Sequence, residues 1–226
     1  MIHITDGRSD HILNVITEKN ILANNHRKSL KDNLETFGFE TFSDKQFSEY
    51  LGKMNRVIIP DEDGKYIEFV IHEAIKNMDR QVEVYTSASY LMLKKAKVIN
   101  PQTLESQTTA TVTAFALNGT EWLPGVMTFA GIRSFNIESY TNPFSFLKRI
   151  ANEFDLELRF RVETDGNKVT GRYVDLVERV GKWQGREVEF GKDLIGIKRS
   201  EKTDDIVTAL VGIGPEQEDG SRLEVI

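Results

Sequence analysis

An α+β, mainly β fold is predicted from three observations on the amino-acid sequence. The first hundred residues read as short apolar runs separated by polar turns. The texture changes after Asn100-Pro101 to a mixture of helix and strand. Leu156 to Val162 alternates apolar and charged residues with a period of two, the signature of a strand with one buried face.

Taken in order, Leu34, Phe37, Phe39 and Phe42 mark one strand-like segment and Arg56-Val57-Ile58-Ile59-Pro60 another. Pro60-Asp61-Glu62-Asp63-Gly64-Lys65 follows as a hairpin turn. Proline presets φ, aspartate satisfies local donors and glycine takes the left-handed conformation, so Tyr66 to His72 returns antiparallel. Gln81 to Thr86 alternates, with Val82 and Val84 on one face, and Ser89 to Lys97 reads as a short helical or irregular connection.

Proline is disfavoured inside both element types, so Asn100-Pro101 marks a boundary. Thr109 to Leu117 is assigned to a helix on the spacing of Val112, Phe115 and Ala116. Thr141-Asn142-Pro143 supplies a cap and a first-turn proline, and Phe144, Leu147, Ile150, Ala151 and Phe154 repeat at three and four, which predicts a second helix. In the strand from Asp155 to Glu163, Leu156, Leu158, Phe160 and Val162 are expected to be buried, with Glu157, Arg159 and Arg161 wet. Asp165-Gly166-Asn167 turns the chain and Val169 to Val180 pairs back. Near the end, Ile206 to Ile213 reads as a strand stopped by Gly214-Pro215. A polar turn from Glu216 to Gly220 leads into a last strand, Ser221 to Ile226, expected to lack partners.

The 226 residues are 39% hydrophobic and 28% charged, ordinary for a folded protein, and the net charge of −6 argues against a surface built to neutralise phosphates. Lys94-Lys95 is one small basic patch. With no cysteine, disulfides, thiolate metal sites and cysteine nucleophiles are excluded. Met1 to Arg8 has no basic segment followed by an apolar run, so a chain that leaves a cell is expected to do so without a signal peptide of its own.

Catalytic, cofactor and metal residues are all assigned as none. His3, His11, His26 and His72 form no ligand pair at metal-binding spacing. His72-Glu73 is followed by Lys76 where a zinc-binding helix needs its second histidine, so His72 is read as a strand-end residue. No Gly-x-Ser-x-Gly elbow or phosphate loop is present. Asp61-Glu62-Asp63 opens like a calcium loop, but Gly64 and Lys65 break the alternation of oxygen ligands, so a solvated turn is read there. Trp122, Phe129, Phe135, Tyr140, Phe144, Phe146 and Trp183 offer a stacking surface for sugar or, equally, a packed core.

The residues resemble the N-terminal region of the phage and prophage tail proteins described as prophage endopeptidase tail or tail-associated lysin. The resemblance is carried by Ser29 to Phe37, Arg56 to Gly64, Arg172-Tyr173-Val174-Asp175-Leu176, and above all Gly185-Arg186-Glu187-Val188-Glu189-Phe190-Gly191-Lys192-Asp193-Leu194. Ile206 to Leu210, Gly214-Pro215-Glu216 and Asp219 to Leu223 complete it.

It implies a tube-type β-barrel domain over 1–99, a mixed α/β domain over 100–181, and the first strands of a second tube-type barrel, expected to be incomplete, over 182–226. It further implies a structural baseplate-hub protein of the virion tail tip, made in the bacterial host cytoplasm without a signal peptide, rather than an enzyme, any peptidoglycan hydrolase lying beyond Ile226. Alternative expectations are a fragment of a cell-wall hydrolase and a glycan-binding module. The implied partners are two further copies in a homotrimer, the distal tail ring protein, the tape-measure protein, the host surface through C-terminal extensions, and DNA sliding through the lumen without specific binding. No cofactor is implied.

Overall fold

The computed structural model describes residues 1–29 and 34–181, isolated positions between 185 and 192, and the backbone of 212–216 and 222–225. In chain order the strands and helices are β1 Ile2–Thr5, β2 Ile12–Ile16, β3 Ile21–Ser29, β4 Leu34–Phe42, β5 Arg56–Pro60, β6 Tyr66–Lys76, β7 Gln81–Ala88, α1 Leu93–Ala96, β8 Gln102–Gln107, α2 Thr109–Leu117, β9 Leu123–Met127, β10 Arg133–Ile137, α3 Pro143–Phe154, β11 Glu157–Thr164, β12 Val169–Val177, β13 Gly212–Glu216 and β14 Arg222–Val225. Short 3-10 turns occupy Glu18–Asn20, Gln46–Tyr50 and Ser89–Met92. The mainly β, α+β expectation therefore holds.

Met1–Lys182 forms one compact unit and Trp183–Ile226 another. In the first, a ten-stranded sheet carries the path β2-β1-β5-β6-β11-β12-β9, with β7, β4 and β3 branching from β6. The branch arises because β6 is eleven residues long. Tyr66 pairs with Val162 of β11, while Phe69 to Lys76 pairs with β7.

Two cores lie on this sheet. One gathers Ile2, Ile4, Phe37, Phe39, Phe47, Ile67, Phe69 and Ile71, the other Leu93, Val112, Trp122, Phe135, Phe146, Leu147 and Leu176. β5 serves both, since Val57 and Ile59 pack into the first and Ile58 into the second. Successive side chains of a strand point to opposite faces, so the unbroken apolar run Val57-Ile58-Ile59 is what a strand buried on both sides requires. The two cores thus share one sheet, and Ile58, Leu93 and Ile99 bring the stretch before Asn100 into the second.

The predicted turn after Pro60 is present, with Asp61 N–H donating to Lys65 O at 2.6 Å and Gly64 at φ 71°. Helix α3 starts where expected. Asn142 accepts from Ser145 N–H at 2.9 Å, and Asp155 closes the helix in the left-handed conformation at φ 55°. Helix α2 opens on a reciprocal box between Thr108 and Thr111.

Several expectations need correction. β11 has no wet face over Arg161, which is buried at 9% exposure, because its guanidinium binds Asp175 and lies over the Tyr173 ring of the neighbouring β12. His72 sits inside β6 at an irregularity between Ile71 and Glu73, not at a strand end. Gly214-Pro215 does not stop a strand but lies within β13, where the register shifts between Ile213 and Glu216, a place that tolerates a residue without N–H. The last strand, β14, does have a partner, pairing antiparallel with β13. Ile206 to Val211 lie outside the described residues, as do most of Gly185 to Leu194.

Candidate functional site: carboxylates held by guanidinium groups

The polar centre of the first unit is built on two aspartate or glutamate residues placed inside apolar strand runs. Glu68 interrupts Tyr66-Ile67-Glu68-Phe69-Val70-Ile71 on β6 and is 1% exposed, and Asp175 interrupts Tyr173-Val174-Asp175-Leu176-Val177 on β12 and is 0% exposed. A buried carboxylate is costly unless paired and hydrogen-bonded. Both are.

Glu68 shares a sheet face with Ile58, its partner on β5, and Arg56 lies two residues along that strand on the same face. Arg56 Nη1 donates to Glu68 Oε2 at 3.1 Å, and Arg172 Nη2 and Nε donate to the two Glu68 oxygens at 2.8 Å each. Arg172 also binds both carboxylate oxygens of Asp10, in the β1–β2 turn, and Arg56 Nη2 reaches Glu121 at 2.9 Å. Burial disfavours the Arg172 cation, but Glu68 and Asp10 outweigh it and hold the guanidinium firmly protonated.

Asp175 lies on the opposite face of β12 from the core residues Val174 and Leu176. Its Oδ2 accepts from Arg159 Nη2 and from Arg161 Nε, both at 2.9 Å, while Oδ1 accepts from Val126 N–H at 2.8 Å. That amide is free because the β9–β12 register shifts between Val174 and Leu176. Gly125 makes the space, since a Cβ there would stand 2.1 Å from Asp175 Oδ1. Burial pushes the Asp175 carboxyl up, but Arg161, the Val126 amide and Arg159 together hold it below its ordinary value. Arg161 also stacks 4.7 Å from the Tyr173 ring and binds Glu163.

A third cluster surrounds Glu35 on β4. It accepts from His26 Nε2 at 2.7 Å and Tyr90 Oη at 2.8 Å, with Lys28 Nζ 3.6 Å away and bonded in turn to Asp61 at 3.1 Å. Burial and then the Glu35 carboxylate push the Tyr90 phenol well above its ordinary value. The cleft beside it, of about 560 Å³, has Tyr90, Phe144, Phe160 and Leu158 on its walls with Glu35, Asp61 and Glu157. Those acids are occupied: Glu35 and Asp61 as described, and Glu157 by Val180 N–H at 2.6 Å.

The four histidines have four different environments. His3 stacks edge-on to Tyr66 and has its pKa lowered by burial and by the N-terminal amino group. His11 bridges to Lys168, His26 serves Glu35, and His72 contacts Ser87 Oγ. Among the described residues no group of three or more His, Asp or Glu is arranged to hold a metal. Of Asp61-Glu62-Asp63, the first binds Lys28 and the last lies 3.9 Å from Arg159. Lys94 is exposed and sits over the Phe144 ring.

Trp122, Phe135, Phe144 and Phe146 are buried, so they form core rather than a stacking platform, while Phe129 and Tyr140 are exposed. Trp183 lies outside the described residues. The ionic clusters were not singled out from sequence. The available signal was an acid inside an apolar strand run, at Glu68 and at Asp175.

Residues 96–176 match the prophage endopeptidase tail domain. The resemblance read from sequence over Arg172 to Leu176 falls inside this match. Two solved prophage tail proteins share the fold: protein gp18 from Listeria monocytogenes EGD-e, 12% identical with a TM-score of 0.57, and the MuSo2 43 kDa protein from Shewanella oneidensis, 16% identical with a TM-score of 0.52. Each likeness covers 99% of this chain, and 66% and 68% of those chains respectively. This chain therefore spans about two thirds of the length of these prophage tail proteins. No curated protein sequence matches it.

Proposed function

We propose that this chain is a structural component of a phage tail, assembling as a ring of three copies at the tail tip, and that it is not itself a hydrolase. The observation that carries the reading is the likeness of fold to two prophage tail proteins over 99% of the chain. The locked acids of the ionic clusters support a scaffold role, because they brace strands. The curled sheet β2-β1-β5-β6-β7-β4-β3 is read as a tube-type domain, with β13 and β14 as strands of a second. The distal tail ring protein, the tape-measure protein and the host surface are the neighbours this reading supplies.

The face of β4 and β7 turned away from the core suits a conduit for DNA. Glu40 and Glu83 lie on it opposite one another, and Tyr85 donates to Glu83 at 2.8 Å. Glu83, Glu73 and Glu40 all act to raise the Tyr85 phenol pKa, so three carboxylates act on one point of this surface. Like charge keeps a passing polyanion from adhering.

The reading is tested by deleting the coding sequence from an inducible prophage. Particles with absent or defective tail tips are expected, and normal infective tails would overturn the assignment. Incubating the purified chain with peptidoglycan should leave turbidity unchanged. Lysis that disappears in Glu35→Gln would make the protein an enzyme.

A further inference from the structure

We propose that the groove over Gly38, on the face of β4 turned away from the core, seats an extended segment of a partner protein that carries a cation at one end and a carboxylate at the other. A single chain forms the groove, so binding there does not depend on the ring reading.

Glycine weakens a strand interior and often marks a bulge, a tight bend or the close approach of a ligand. No bulge calls for Gly38, because the ladders on either side run unbroken through it, against Asn25 of β3 and Tyr85 of β7. Its φ lies outside the left-handed region, and a Cβ would meet nothing nearer than Val84 O at 3.8 Å. Nothing packed against this glycine requires it. The space a side chain would fill is instead the floor of a groove of about 630 Å³, walled by Asn25 and Arg27 on one side and by the half-exposed Tyr85 on the other.

The two ends of the groove differ in charge. At one, Glu40 and Glu83 stand opposite one another, and Glu83, Glu73 and Glu40 all act on the Tyr85 phenol. At the other, Thr36 lies between Arg27 and Ser87. Among the described residues Arg27 makes no ion pair, and the side chains of Asn25, Thr36 and Glu40 make no hydrogen bond. Thr36 and Glu40 are about 13 Å apart along the strand, which is the reach of about four extended residues. Midway, the Asn25 carboxamide offers a donor and an acceptor to a peptide bond, and the Tyr85 ring offers an apolar wall. A polyanion would match Arg27 and be repelled by the acids, whereas a segment with opposite charges at its ends satisfies both.

The probes are capped peptides, Glu-Ala-Ala-Lys and its reverse Lys-Ala-Ala-Glu, titrated into the whole chain while the Gly38 amide is followed by NMR. One of the two should shift that amide saturably, and capped Glu-Ala-Ala-Glu should not. Arg27→Ala and Glu40→Gln should each weaken binding about threefold. Gly38→Val should abolish binding with an unfolding midpoint no lower than the parent's, since valine suits a strand and meets open space there. No saturable shift with either dipolar peptide, equal binding of the peptide with two acids, or undiminished binding by Gly38→Val overturns the proposal. Loss of the fold in Gly38→Val overturns it too, because the glycine would then serve the sheet itself. Self-association of the parent that Gly38→Val removes would give the groove to a second copy instead of a partner protein.

Discussion

Asp175 and Gly125 show how one carboxylate can fix a strand crossing. Replacing Asp175 by Asn leaves Arg159 and Arg161 without their anion and should cost about 3 kcal/mol, read from urea denaturation. Gly125→Ala should cost about 2 kcal/mol by forcing Asp175 Oδ1 off the Val126 amide, and it should remove the slow exchange of that amide. The Asp175 carboxyl is depressed in the fold, so its contribution is complete above the ordinary value of 3.8 and is lost as pH falls below it. Acid titration of stability should therefore be shallower in Asp175→Asn than in the parent. A parallel pair of curves would show that this residue does not set the acid limit.

At the scale of elements, helix α3 was legible and β11 was only half so, for one physical reason. The cap Asn142-Pro143 and the three-four repeat of Phe144, Leu147, Ile150, Ala151 and Phe154 are local, and a helix closes its own hydrogen bonds within a few residues. Asn142→Ala should accordingly lower stability by about 1 kcal/mol. What takes up Arg161 is Asp175 and the Tyr173 ring on β12, which no period in β11 reports. The same holds for Glu68, whose partners Arg56 and Arg172 come from two other strands. Helix α2 hides a different feature: Thr113 is buried with its hydroxyl unpaired among the described residues. Thr113→Val keeps the shape and removes that unsatisfied group, so it should raise the unfolding midpoint, by about 1 kcal/mol in stability.

At the scale of the whole molecule, the family resemblance was legible while the shared sheet was not. Ile58, Leu93 and Ile99, all before Asn100-Pro101, belong to the second core, and β11 and β12 continue the sheet begun by β1, β5 and β6. Phe69 and Leu147 belong to different cores and both are fully buried. Phe69→Ala and Leu147→Ala should each cost about 3 to 4 kcal/mol and lower the same transition. Trp122 fluorescence, reporting the second core, should then fall together with the far-ultraviolet signal of the sheet. Two separated transitions would mean that the cores melt independently.

Because Ile58 faces one core while Val57 and Ile59 face the other, a gene cut near Asn100 would not release a usable half. The N-terminal product would carry a strand with one apolar side bare, and the C-terminal product would lack the floor on which its helices rest. Dissection of this polypeptide for expression or imaging should therefore spare everything up to Lys182, and tags belong on exposed turns such as Glu62 to Gly64 rather than between the two halves.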